Sequence, residues 1–240
     1  MKLVNKKYNQ LTFTAEVDES LANAIRRYVD QILVLAIDEV EISKNDSPLY
    51  DETVAHRIGL VPLKMDKTMN EKTTEQLALI AKKDGIIYSE DLKGKVEPVY
   101  DKIPITVLKK GQELEILATA RMGKGSKHSK FSPGFMFYRD SVKVKIDKDC
   151  PKEVVNVCPR KILILDNGKV SITDENQCDM CEACTDFCRK VKKDSIELTP
   201  TKELVITVEG FGQMEEEEIF KKAIETLKDD LKELAKKIAK

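Results

Sequence analysis

An α+β chain of more than one domain is predicted by three features of the sequence. Short β patterns are joined to two amphipathic helical periodicities, one near each end of the chain. All six cysteines are confined to the stretch from Cys150 to Cys188. Charged residues make up 35% and hydrophobic residues 41%, which describes a globular chain with an unusually ionic surface. With 240 residues the cores need no disulfide staples. The 41 Lys and Arg nearly balance the 42 Asp and Glu, so the net charge of −1 provides no field to hold duplex DNA or an anionic membrane directly. The longest apolar run, Ile32 to Ile37, falls far short of the roughly 18 residues that span a bilayer. Met1 to Gln10 lacks the apolar stretch of a secretory signal, so the expected location is a reducing cytoplasm. Six cysteines in that setting point to metal more than to disulfides.

Residues 1–17 alternate in polarity and predict a strand ending near Asp18. A helix follows, capped by Asp18 or Ser20, with Leu21, Ile25, Tyr28 and Ile32 on one apolar face and Arg26 and Arg27 beside it. Ala36 to Ile42 reads as a strand whose polar side carries Asp38, Glu39 and Glu41. From residue 47 to 140 the pattern is an α+β insert, with a polar stretch from Met65 to Gln76 and a hairpin expected across Lys110-Gly111. The loop from Met122 to Lys130 is rich in Gly and positive charge and invites a phosphate-binding reading. It lacks the G-x4-G-K-[ST] order of a P-loop, so a solvated turn is the better expectation. His56 and His128 are the only histidines; neither pairs with an acid and a nucleophile in sequence, and both read as structural.

Near the other end, Glu203 to Glu209 alternates as a strand, ended by Gly210-Phe211-Gly212. A long helix is then expected, with Glu215 to Glu218 at its electropositive start and Lys236, Lys237 and Lys240 at its end. Phe220, Ile224, Leu227, Leu231, Leu234 and Ile238 step by four, three, four, three and four, the 3.5-residue seam of helices packed side by side. At about 1.5–3 kcal/mol per buried side chain, such a stripe has a strong drive to leave water. Packing inside its own domain is the commoner use of an amphipathic helix; a terminal helix with so regular a seam points to an intermolecular use as well.

The cysteines carry the sharpest chemistry. Cys178, Cys181, Cys184 and Cys188 follow C-x2-C-x2-C-x3-C, the bacterial ferredoxin run. Three close thiolates in such a run wrap one cubane face, and the last cysteine points to the other cluster of a two-cluster protein. The remote fourth ligand can then come from Cys158, which is followed by Pro159. Cys158, Cys178, Cys181 and Cys184 are therefore assigned to one [4Fe-4S] cluster, or [3Fe-4S] if one ligand is not used. Cys158-Pro159-Arg160-Lys161-Ile162 recurs thirty residues later as Cys188-Arg189-Lys190-Val191, as in an internal duplication. The close ligands of a second site would fall at Lys148, Pro151 and Val154, none of which can bind a cubane iron. Cys150 and Cys188 are left over, as free thiols or a disulfide. Zinc is the bland alternative, although its sites usually show two C-x2-C pairs across a longer loop.

Several stretches together resemble the D subunits of archaeal DNA-directed RNA polymerase over nearly the whole chain. They are Leu21-Ala22-Asn23-Ala24-Ile25-Arg26-Arg27, Ala36-Ile37-Asp38-Glu39-Val40-Glu41-Ile42, Ala55-His56-Arg57-Ile58-Gly59-Leu60-Val61-Pro62-Leu63 after Asp51-Glu52, the Gly125 to Pro133 loop, and Val208-Glu209-Gly210-Phe211-Gly212. The resemblance implies a counterpart of bacterial α and of the third eukaryotic subunit. It further implies a split α-type dimerisation domain from residues 1–46 plus 199–240, an α+β insert domain at 47–140 and a ferredoxin-like iron–sulfur domain at 141–198. Such a chain would heterodimerise with the smaller subunit L through Leu21, Ile25, Tyr28 and Ile32 and the helix seam. Subunits N and P would join next, then the large subunits that carry the nucleotidyltransferase centre. The residues agree with a non-catalytic chain, since no clustered aspartates for magnesium and no nucleotide loop occur. The alternative from another class is an iron–sulfur electron-transfer or oxidoreductase subunit, against which stands the lack of a flavin or nicotinamide fingerprint.

Overall fold

The computed structural model describes every residue except Lys67, Lys192 and Lys240. The chain opens with β1 (Lys2–Lys7) and β2 (Gln10–Ala15). The single strand expected over residues 1–17 is thus a hairpin, because Asn9 takes a left-handed φ of 56°, a conformation that Asn tolerates and that reverses the chain. Helix α1 (Glu19–Tyr28) follows, and Asp18 is its cap, its Oδ1 accepting from the Ser20 backbone N–H at 2.8 Å. The expected strand at Ala36–Ile42 lies within β3 (Leu33–Asn45).

Helix α2 (Asp51–Gly59) carries Asp51 and Glu52 in its first turn and His56 and Arg57 in its last, the polarity its macrodipole favours. Then come β4 (Thr74–Ala81), β5 (Gly85–Tyr88), β6 (Lys93–Gly94), β7 (Pro104–Leu108) and β8 (Leu114–Lys124). Gly111, at φ 85°, makes the turn expected across Lys110-Gly111. The strands beside it do not pair as a hairpin: β7 bonds to β5, while β8 bonds to β3 and β4. Both edges of β8 are occupied, so none is left for β7.

The remaining elements are β9 (Gly134–Ile146), β10 (Leu163–Asp166), β11 (Lys169–Ile172), α3 (Ala183–Lys190), β12 (Ile196–Gly210) and α4 (Glu216–Ile238). Asn167 and Gly168, at φ 49° and 77°, form the two-residue turn between β10 and β11, a hairpin the periodicity did not reveal although Asn-Gly is a strong signal for one. The terminal helix lies where the seam places it, its first turn holding Glu216, Glu217 and Glu218. Lys240, expected at its end, lies outside the described residues.

The architecture is α+β, with four sheets of which β1-β2-β12-β9 and β3-β8-β4-β6 are the largest, the latter antiparallel throughout. Two compact units divide the chain. One comprises Met1–Lys7, Leu11–Ala22 and Phe137–Thr207; the other Tyr8–Gln10, Asn23–Met136 and the chain from Val208 onward. In the second, α2 buries Val54 and Ile58 against Leu35, Leu77, Leu79 and Ile116 of the sheet. A Cβ at Gly134 would run into the carbonyl of Glu209, so β9 can approach β12 there only with glycine. In the first unit a smaller core gathers Cys150, Val154, Leu163, Cys188 and Ile196.

Candidate metal centre

Each predicted ligand is delivered by a tight local structure. Cys158 follows a 3-10 turn at Lys152–Asn156, and its carbonyl accepts from the Lys161 N–H at 3.0 Å. Asp174 caps the 3-10 turn Glu175–Gln177 by accepting from the Asn176 N–H at 3.0 Å, and Cys178 N–H donates back to the Glu175 carbonyl at 3.0 Å. Between the close cysteines the chain winds through Met180 and Glu182 at φ 55° and 59°. Non-glycine residues there cost on the order of 1–2 kcal/mol each, and such strain concentrates at functional sites. Cys184 then enters the first turn of α3, where Thr185 Oγ1 donates to the Glu182 carbonyl at 2.8 Å.

Cys158, Cys178, Cys181 and Cys184 all line one cavity, walled by Val144, Ile162, Ile172 and Leu198. Arg160 and Asp179 stand at the same cavity and pair at 3.0 Å. Cys178 is buried, Cys158 and Cys184 half-buried and Cys181 exposed. Burial pushes the Cys184 thiol up to about 11 and raises that of Cys178. Thiols so placed keep their protons at neutral pH, and metal binding must displace them.

The donor chemistry fits an iron–sulfur cluster: four thiols at ferredoxin spacing open into one largely apolar cavity. Among the described residues, however, no three of His, Cys, Asp or Glu close on one point as a single bound ion requires. The two observations concern different geometries. A lone tetrahedral ion draws its ligands onto one centre, whereas a cubane spreads its thiolates over separate irons.

Cys150 and Cys188, left open as free thiols or a disulfide, are both buried and carry no bridge in this structure. Cys150 Sγ donates to the Pro151 carbonyl at 3.9 Å, and burial first, then Cys188, pushes the Cys150 thiol up to about 11. Of the three positions where a second cluster would need ligands, Lys148 is exposed, Pro151 half-buried and Val154 fully buried in the core around Cys188. Apolar packing fills that half.

The predicted interface residues divide sharply. Helix α4 buries Glu216, Ile219 and Ala223, a stripe beside the expected seam. Phe220 and Leu227 are half-buried and Ile224 is exposed, while Leu231, Leu234 and Ile238 are 55%, 52% and 76% exposed. On α1, Leu21 is exposed and Tyr28 half-buried, its hydroxyl donating to Asp230 at 3.0 Å. Ile25 and Ile32 are buried in this chain's own packing. The basic loop closes on acidic neighbours: Lys130 pairs with Asp38 at 2.8 Å, and Ser126 N–H donates to the Asp30 carbonyl at 3.0 Å. The side chain that sequence reading missed is Arg139 of β9, which donates to the backbone carbonyls of Asn176 and Cys178. An arginine on a strand leaves no periodic signal for such a role.

The profile of the RNA polymerase Rpb3/RpoA insert domain matches residues 40–136. The DNA-directed RNA polymerase subunit Rpo3 of Thermococcus kodakarensis is 33% identical over 94% of this chain and 92% of its own length. That of Archaeoglobus fulgidus is 30% identical over 90% and 89%. That of Pyrococcus horikoshii is 40% identical over 62% of each chain. These relatives lend no support to the electron-transfer alternative.

Proposed function

This chain belongs to the family of the archaeal DNA-directed RNA polymerase subunit Rpo3, and we propose that within that enzyme it pairs with the smaller subunit L and seeds assembly. It is a non-catalytic assembly subunit, with enzyme activity only as part of the polymerase complex. No described helix is long and apolar enough to cross a membrane. The observation that carries the pairing is the unburied end of the α4 seam, where Leu231, Leu234 and Ile238 stand in water. A helix of 23 residues anchored by its own stripe at Ile219 and Ala223 leaves Leu231, Leu234 and Ile238 for another chain. Tyr28 of α1, whose hydroxyl donates to Asp230 of α4, would extend that surface, and subunits N and P and the large subunits would join the pair afterwards.

The same reading assigns Cys158, Cys178, Cys181 and Cys184 to one [4Fe-4S] cluster, or [3Fe-4S] where one thiolate is not used. The cluster would tie Cys158 to the Cys178–Cys184 loop as a staple of the local fold. Changing Leu227 and Leu231 together to Asp tests the pairing, because two charges in an apolar seam should abolish co-elution with subunit L. Stoichiometric co-elution of that double variant would put the interface elsewhere.

A further inference from the structure

Among the described residues, Arg139 reaches the close-ligand loop from outside it. Arg139 stands on β9, and its Nη1 donates to the Cys178 carbonyl at 2.6 Å while its Nη2 donates to the Asn176 carbonyl. The two acceptors are two residues apart, so one planar guanidinium spans the segment that brings in the first of the three close thiols. Only arginine carries a rigid fork of donors suited to two such carbonyls at once. The other bonds on this segment are local: Asp174 to the Asn176 N–H, and the Glu175 carbonyl to the Cys178 N–H. They shape the turn without attaching it to the sheet. Just beyond Cys178, the Asp179 carboxylate is engaged by Arg160, so Arg139 is the cation that addresses the backbone itself. Arg139 is half-buried, and its charge is screened less than that of an exposed side chain.

We propose that Arg139 is a positioning residue for the iron–sulfur site: it fastens the Asn176–Cys178 backbone to β9 so that the Cys178 thiol faces the cavity, and its charge favours the reduced cluster. The inference rests on the cluster reading given above. A cluster held by four thiolates is an anion, and each added electron makes it more negative. A fixed cation near it therefore favours reduction and raises the potential.

The test uses the full chain as wild type, Arg139→Lys and Arg139→Gln, with three readouts. These are iron and acid-labile sulfide per chain, midpoint potential, and the rate of alkylation at Cys178 in iron-free folded protein, followed by peptide mass mapping. Loss of the fork should speed alkylation at Cys178 in both variants by about tenfold or more, with the rate at Cys150 unchanged. Both variants should load less iron. The potential should fall in Arg139→Gln and stay near that of the wild type in Arg139→Lys, which keeps the charge. Wild-type loading and alkylation in both variants would overturn the proposal, and so would full rescue of both by Lys, which cannot bridge two carbonyls as a fork. A wild-type chain that takes up no iron would overturn the cluster reading itself, leaving the alkylation rates to decide the backbone clamp alone.

Discussion

Two halves of the cysteine segment begin from one repeated pattern and end in different solutions. Around Cys158 and the Cys178–Cys184 loop, four thiols open into a shared cavity, and the backbone bends through left-handed Lys161, Met180 and Glu182. Around Cys188 the corresponding space is filled by Val154, Leu163, Ile196 and the Cys150 thiol, with no left-handed residue between Cys150 and Val154. The first half keeps left-handed backbone and thiols that line a cavity; the second sets two buried thiols in packed hydrocarbon. Only the half whose thiols line a cavity carries unusual backbone angles; the half filled by apolar burial does not.

The largest difference between the halves should appear on removing a ligand. Cys184→Ser should lose iron and the visible absorbance and open roughly residues 145–197, seen as loss of hydrogen-exchange protection there while pairing with subunit L survives. In the plugged half, Val154→Ala leaves a cavity in a fully buried site and should cost about 2 kcal/mol in denaturant melts, with iron loading unchanged. Iron loss in that variant would mean the halves are not independent. Met180→Gly removes the Cβ penalty at φ 55° and should stabilise the iron-free chain by about 1 kcal/mol or less, a gain with no counterpart around Cys188.

The smallest effect is alkaline. Burial keeps the Cys150 thiol neutral and moves its pKa from 9.0 to about 11. A group whose folded pKa lies above its unfolded value adds stability that is fully present below the unfolded pKa and lost as pH rises through the folded one. Iron-free protein should therefore weaken as pH rises from about 9 toward about 11, and Cys150→Ala should flatten that slope. An unchanged slope would remove Cys150 from the account of the plug.

The close spacing of Cys178, Cys181 and Cys184 was legible because it is local, and the structure brings all three with Cys158 to one cavity. A cap at Asp18 or Ser20 was legible, and the α4 seam as a period of 3.5, because both are local. What escaped was non-local or needed one turn residue to be weighed correctly. Asn9 broke an alternating run that otherwise read as a single strand, and Asn167-Gly168 made a hairpin inside the cysteine segment. The partners of β7 and β8 depended on which edges were already occupied, and local pattern carries no such information. Helix α2 carried its own signal, acids at Asp51 and Glu52 and apolar Val54 and Ile58 four apart, within an insert read only as α+β without its helix being placed. Arg139 acts across 39 residues through backbone carbonyls, and no side-chain motif announces that.

The central claim is that this chain serves assembly and that its cysteine site serves the local fold, with phosphodiester chemistry left to the large subunits. The most direct measurement is the elongation rate per assembled molecule of polymerase reconstituted with the Cys184→Ser chain. Fewer complexes should form if the large subunits touch the cysteine segment, and each that forms should elongate at the wild-type rate. Fully assembled, cluster-free polymerase with collapsed elongation would contradict the account and give the site a catalytic or redox role.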